Sequence, residues 1–313
     1  MLIFIAKRFL ATIPVMGVVA LVVFLMLRLS PGDPATVIAG DYASAADIER
    51  IRDKLGLAQP IAVQFGKWLW SLLQGDLGVS IFSDLPVTEL IVQRLEPTLM
   101  LALTTLTFTV VVAVPLGALA AWKAGSWIDR GIMIFSVAGF SVPVFVLGYL
   151  LIYGFAIDLK WFPVQGYRSP FDGIGPFARH IVLPTLTLSV IYIALIARIT
   201  RASVLEVLEE DYIRTARAKG QTETRVLLFH ALRNAAVPIV TVIGLGVALL
   251  IGGVVVTESV FNISGLGRLV VDAILKRDYP IIQGLILMFS FVYVLINLAI
   301  DIVYALIDPR IRY

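Results

Sequence analysis

Residues Leu99–Ala121 read LMLALTTLTFTVVVAVPLGALAA, 23 positions without a single Asp, Glu, Lys or Arg. As a helix this stretch is about 35 Å long at ~1.5 Å per residue, enough to cross a hydrocarbon core of about 30 Å. Five other windows share the property: Phe9–Leu27, Gly131–Ile157, Ile181–Ala197, Ala235–Thr257 and Ile281–Ile300. The apolar runs are continuous rather than alternating, which excludes an outer-membrane barrel and leaves helices as the spanning element. Composition agrees: 59% hydrophobic residues, 15% charged and a mean hydropathy of +0.94 lie outside the soluble globular range. The chain reads as an all-α integral membrane protein with six transmembrane helices. The first window is longer than a signal-peptide core and no small-residue cleavage site clearly follows it, so it reads as a retained helix.

An even number of crossings places both termini on one side, and Lys and Arg decide which. With the N-terminus inside, segments 1–8, 122–130, 198–235 and 308–313 hold 13 of the 25 basic residues at nearly twice the outside density. The positive-inside rule therefore makes both termini cytoplasmic. The predicted organisation is an N-terminal transmembrane helix over 1–30, an extracytoplasmic helical loop region over 31–97, a five-helix transmembrane core over 98–307 with a cytoplasmic loop over 198–235, and a cytoplasmic tail over 308–313.

Several functions are excluded. The net charge of +3 sits beside membrane ends, where it orients helices and meets anionic lipid rather than nucleic acid. There is no cysteine, and His180 and His230 fall on opposite predicted faces of the bilayer, so no metal site is expected. No Gly-x-x-x-x-Gly-Lys-Ser/Thr loop, Gly-x-Ser-x-Gly or His-Glu-x-x-His occurs, which removes P-loop nucleotide binding and the common hydrolase motifs. Gly265-Leu266-Gly267 lacks the third glycine of a dinucleotide fingerprint and reads as a turn on the outer face. No catalytic residue is expected.

Both large loops contain helices. In the outer one, Ser44-Ala45-Ala46-Asp47 is a capping box opening a helix to about Leu55, stopped by Gly56. A second follows Pro60, carries Phe65, Trp68, Leu69, Leu72 and Leu73 on one face, and stops at Gly75. Inside, Ser203-Val204-Leu205-Glu206 offers a helix start, and the run continues through Glu209-Glu210-Asp211-Tyr212-Ile213-Arg214-Thr215-Ala216-Arg217-Ala218-Lys219. Its cations lie at the C-terminal end, where they oppose the helix dipole, and Gly220 closes it. A short helix begins after Thr222. From spacing alone this pair is either a docking surface or a solvated interfacial element. Pro115, Pro143 and Pro184 bend crossings, for packing or to open a path. Asn297 and Asp301, four apart, share a face of the last helix; Asp301 lies near its cytoplasmic end and reads as an anchor against the bundle or a partner helix.

The run Tyr212-Ile213-Arg214-Thr215-Ala216-Arg217-Ala218-Lys219-Gly220, with His230-Ala231-Leu232-Arg233-Asn234-Ala235 and Pro238 after it, resembles the cytoplasmic loop of permease subunits of ATP-binding-cassette importers. Pro31-Gly32-Asp33-Pro34, Gly75-Asp76-Leu77-Gly78, Gly265-Leu266-Gly267, Arg277-Asp278-Tyr279-Pro280 and Asp308-Pro309-Arg310-Ile311-Arg312 resemble its dipeptide, oligopeptide and nickel group. The general importer motif begins Glu-Ala-Ala where this chain has Arg214-Thr215-Ala216, and its Leu-Pro appears as Leu232-Arg233.

The resemblance implies a type I permease architecture in which Asp211–Gly220 couples to a cytoplasmic ATPase, with Arg214 and Arg217 the candidates facing its acidic residues. It further implies two ATPase subunits binding ATP and Mg, a second and different permease chain, an extracytoplasmic substrate-binding protein, and the inner membrane of a bacterium or archaeon. Dipeptides or oligopeptides are the implied substrate, with glutathione-like peptides and nickel chelates as alternatives. An ion-coupled secondary carrier is the competing class; none of the six windows has an Asp, Glu, Lys, Arg or His in its interior, against the midplane sites such carriers use.

Overall fold

A computed structural model describes residues 2–28, 34–39, 43–54, 56–57 and 59–307. Its helices are α1 (Leu2–Arg28), α2 (Pro34–Ala39), α3 (Ala45–Lys54), α4 (Ile61–Leu73), α5 (Val87–Trp122), α6 (Trp127–Ser141), α7 (Val144–Leu151), α8 (Ile174–Leu208), α9 (Asp211–Ala218), α10 (Glu223–Arg225), α11 (Leu232–Asn234), α12 (Ala236–Val260), α13 (Leu266–Lys276) and α14 (Tyr279–Ile307). Wider π-helical turns extend α7 to Asp158 and link α10 to α11 over Val226–Ala231. Among the described residues there is no strand, only an isolated antiparallel bridge between Val79 and Pro86. Pro31-Gly32-Asp33 and 308–313, which carry two of the quoted motifs, lie outside the described residues.

Among the described residues four helices are long and apolar enough to span a bilayer, namely α5, α8, α12 and α14. The window Gly131–Ile157, expected as one crossing, is instead a pair of helices bent by 103°. The cause is local: Val142 precedes a proline and is driven into an extended conformation (φ −94°, ψ 121°), and Pro143 then opens α7. Counted as one span, the pair brings the number to five, while α1 contributes a shorter apolar stretch, Leu10–Met26. Pro115 and Pro184, by contrast, sit inside continuous helices.

The chain divides into two compact units: residues 1–96 with 268–295, and residues 97–267 with 296–313. In the first, Ala20 and Val23 of α1 pack with Leu287 of α14 and with Trp68 and Leu72 of α4. The predicted capping box forms: the Asp47 N–H donates to Ser44 Oγ at 3.2 Å, and the Ser44 N–H reaches Asp47 Oδ2 at 3.3 Å. The expected stops also form, with Gly56 at φ +62° and Gly75 at φ +81°.

The second unit is built on α8, which packs against α6, α7 and α12. Leu183, Leu188 and Tyr192 of α8 join Leu101, Ile152, Leu250, Val254 and Phe261 in one core. Small residues let the backbones approach: a Cβ on Gly117 of α5 would lie 2.5 Å from the Ala197 carbonyl of α8. That is the close helix contact used where lipid supplies no hydrophobic drive to associate.

Candidate functional site

The helix start expected at Ser203 does not exist. α8 runs through it to Leu208, because Ser203 and Val204 are buried along the helix, and a residue packed on both flanks has no reason to leave the helical conformation. The chain breaks instead at Glu209 and Glu210, where Glu210 turns extended (φ −68°, ψ 147°) and opens α9 at Asp211. Acidic residues in that first turn suit the helix dipole.

α9 ends in a complete Schellman arrangement. Gly220 adopts φ +79°, its N–H donates to the Arg217 carbonyl at 2.9 Å, and the Gln221 N–H donates to the Ala216 carbonyl at 3.2 Å. The helix is seated by two side chains three apart: Ile213 and Ala216 are buried against Val226, with Val207 and Leu208 of α8 beside them. Asp211, Tyr212, Arg214, Thr215, Ala218 and Lys219 are left exposed, so α9 presents one polar face on a packed base.

The two candidate arginines differ in their commitments. Arg217 is held in a fork by Glu223 of α10, Nε to Oε1 at 2.9 Å and a terminal nitrogen to Oε2 at 3.2 Å. Arg214 is more exposed and, among the described residues, its side chain pairs with Asp211, 3.2 Å away and one turn back on the same helix. An exposed i, i+3 pair of this kind contributes little and releases its cation readily. Tyr212, on the exposed face, interacts with Asn234 of α11; partial desolvation, then the charge of Glu210, pushes its phenol above the ordinary value.

α9 is thus clamped between the end of α8 and the approach to α12. A second tie links α8 to α6: Arg201 donates two hydrogen bonds to Asp129, at 2.5 and 2.7 Å, and Asp129 also accepts from the Gly125 N–H at 2.9 Å. Sequence reading passed over this pair because 72 positions separate its members; the only available signal was a charge at the edge of each apolar window. Displacement of α9 therefore has mechanical routes into α6, α8 and α12.

Several of the other motif residues make local structural contacts. The turn at Gly75-Asp76-Leu77-Gly78 is closed by Asp76 Oδ1, which accepts from the Gly78 N–H at 2.8 Å. Just beyond it, the Ser80 hydroxyl donates at 2.6 Å to buried Asp278, joining two motifs 198 residues apart. Thr98 Oγ donates to the buried Glu258 carboxylate at 2.6 Å and accepts from the Leu266 N–H at 2.8 Å, while a Cβ on Gly265 would collide with that carboxylate. Gly265-Leu266-Gly267 is thus a tight entry into α13. Asn297 is exposed on α14 and Asp301 half-buried one turn later. His180 Nδ1 lies 2.7 Å from the Pro176 carbonyl, and among the described residues no cluster able to hold a metal occurs.

Residues 113–313 match the family described as "Binding-protein-dependent transport system inner membrane component", and residues 1–104 match the corresponding N-terminal family. A probable peptide ABC transporter permease protein of Sinorhizobium fredii is 56% identical over 311 residues, 99% of each chain. A putative peptide transport system permease protein of Brucella abortus is 47% identical, covering 99% of this chain and 98% of its own. A glutathione transport system permease protein of Escherichia coli is 47% identical over the whole of both chains. Among solved structures, the MetNI methionine ABC transporter in an inward-facing conformation aligns with a TM-score of 0.57 at 18% identity, over 70% of this chain and 96% of that one, a likeness of fold.

Proposed function

Since this chain belongs to the family of inner membrane components of binding-protein-dependent transport systems, we propose that it is the permease subunit of an ATP-binding-cassette importer for peptides, with α9 as the element that docks on a cytoplasmic ATPase. The observation that carries the assignment of α9 is its seating: Ile213 and Ala216 fix it to the chain while Arg214 and its neighbours face outward.

The peptide reading is supported by the full-length relatives named above. Glutathione is itself a tripeptide, so the Escherichia coli relative favours a glutathione-like cargo as the second reading. Uptake proceeds by alternating access. A binding protein delivers the peptide to the extracytoplasmic side, ATP and Mg bind to two separate ATPase subunits, and their closure draws α9 with it. α9 then moves α8 and α12 directly and α6 through Arg201–Asp129. A second, different permease chain supplies the other half of the path, and Asn297 and Asp301 on α14 anchor at that interface or within the bundle. In this topology both termini lie in the cytoplasm and 31–97 outside.

The test is a mild-detergent pull-down of the tagged chain from its host, with ATPase activity and vesicle uptake measured on what co-purifies. Two ATPase copies and a second permease are expected. Arg214→Glu should weaken ATPase capture and stop uptake, and Gly220→Pro, which cannot reach φ +79°, should uncouple hydrolysis from uptake. A lone chain that drives peptide uptake from an ion gradient would overturn the proposal.

A further inference from the structure

The first unit carries an open cavity of about 610 Å³ that the coupling mechanism does not use. It is walled by the end of α1, the end of α3, the face of α4, the turn over 77–81 and the start of α14. The walls are braced. Arg28 Nε donates to Gln64 Oε1 at 2.9 Å, and its guanidinium lies 3.6 Å from the centre of the Phe24 ring. Gln283 donates to the Val23 carbonyl at 3.0 Å, and Ser80 is held by Asp278.

The lining carries both signs of charge. Arg28, Lys67 and Asp53 all face this space, and among the described residues none of the three is in an ion pair. Arg28 is half-buried and Lys67 and Asp53 are exposed, and a second acidic residue, Asp84, also lines the space. Charges of both signs around one space favour a ligand that answers both. The Trp68 ring offers an apolar flank between them, and the volume lies within the range of small-molecule sites, about 300 to 1,000 Å³. No metal-binding group of three His, Asp or Glu side chains occurs among the described residues, so the cavity is suited to a charged organic molecule rather than a bare cation.

We propose that this cavity is a receiving subsite for a short peptide with free termini, its α-carboxylate set against Arg28 and Lys67 and its α-ammonium against Asp53. The inference rests on the peptide-importer reading and deepens it by giving the permease its own contact with both ends of the cargo. The same charges would accept the ethanolamine phosphate headgroup of a lipid, and the experiment separates the two sources.

The importer complex without its binding protein is placed in nanodiscs of phosphatidylcholine and phosphatidylglycerol and titrated with radiolabelled dialanine. The competing probes are N-acetyl-dialanine amide and soluble glycerophosphoethanolamine. Dialanine is expected to bind, and the end-blocked analogue to bind at least about fivefold more weakly, the scale of one partly exposed charge pair. Lys67→Glu and Asp53→Lys should each lose about fivefold or more, while Lys67→Arg retains binding. Co-elution of each variant with the partner subunits is the folding control. Equal binding of free and blocked peptides, undiminished binding by the charge-reversed variants, or preferential displacement by glycerophosphoethanolamine overturns the subsite. ATP-driven uptake of labelled peptide by the wild-type complex with its binding protein is scored separately. Its absence for every peptide tried would sink the importer reading, whereas its presence without dialanine binding would sink only the cavity.

Discussion

Helices α8 and α14 are both long and apolar enough to span a bilayer, yet 67% of the most apolar window of α8 is buried within the chain and only 6% of that of α14. Hydropathy therefore does not say what covers a membrane helix. α8 meets its neighbours through Leu183, Leu188, Ile193, Ala194 and Ala197, all buried, and its hydrophobicity is satisfied inside the protein. α14 turns Phe291, Tyr293 and Leu295 outward, bulky residues that lipid or another chain has to cover. The contrast extends to α4, which has no buried residue despite its apolar face. α8 is covered along most of its length, whereas α14 is packed in its first turns, from Ile281 to Leu287, and largely uncovered beyond them.

The sharpest way to break this contrast is to remove the close approach beneath α8. Gly117→Val puts a Cβ against the Ala197 carbonyl and Thr200. The expected cost exceeds about 4 kcal/mol, read as failure to recover a folded chain in detergent. Folded, stable protein would mean that α5 and α8 are less tightly joined than they stand here.

Next in size is a matched pair of truncations. Leu188→Ala in the α8 core should cost about 2 to 5 kcal/mol in the thermal unfolding of the purified chain. Leu295→Ala on α14 should change it by less than about 0.5 kcal/mol. If Leu295→Ala is silent in the lone chain but weakens the assembled complex, the outward face of α14 meets a protein rather than lipid.

Smaller again is the tie between α8 and α6. Asp129→Asn leaves Arg201 without its anion and should cost about 1 to 3 kcal/mol. Exchanging the two, Asp129→Arg with Arg201→Asp, should recover part of the loss in unfolding and in uptake; no recovery would make the pair a packing accident.

The smallest effect belongs to the peripheral helices. The Ser44 hydroxyl and N–H, more than Arg50, hold the Asp47 carboxyl below the usual aspartate range. A carboxyl depressed by folding lends stability above its unfolded value, and that contribution fades as pH falls through the lowered one. In Ser44→Ala the Asp47 titration followed by carbon NMR should move up toward the ordinary midpoint, with the α8 core signals unchanged.

Local chemistry was the legible part of this molecule. The capping box at Ser44, the stops at Gly56 and Gly75, and the closure of α9 at Gly220 each depend on residues within about six positions of one another, so the linear order carries them. The polar helix α9 was legible for a related reason, as charge interrupting hydropathy. What misled was Ser203, a cap residue by type that α8 absorbs because its flanks are buried. The separation of the two arginine candidates was also invisible in the sequence, since it depends on Glu223 reaching back to Arg217 and not to Arg214.

By itself the amino-acid sequence determined that the chain is a bundle of membrane-spanning helices, where several of the loop helices stop, and which loop carries an exposed polar helix. These follow from the length of uncharged runs and from backbone groups satisfied by near neighbours. Only the tertiary structure decided that Gly131–Ile157 is a sharply bent pair, that α8 is the buried helix, that Ser80 meets Asp278 and Arg201 meets Asp129, and that Arg28, Lys67 and Asp53 share a cavity. The physical reason is common to all of these. An apolar run is equally content against lipid or against protein, and a charge is equally content with any partner of opposite sign, so which partner it receives depends on which surfaces can pack together.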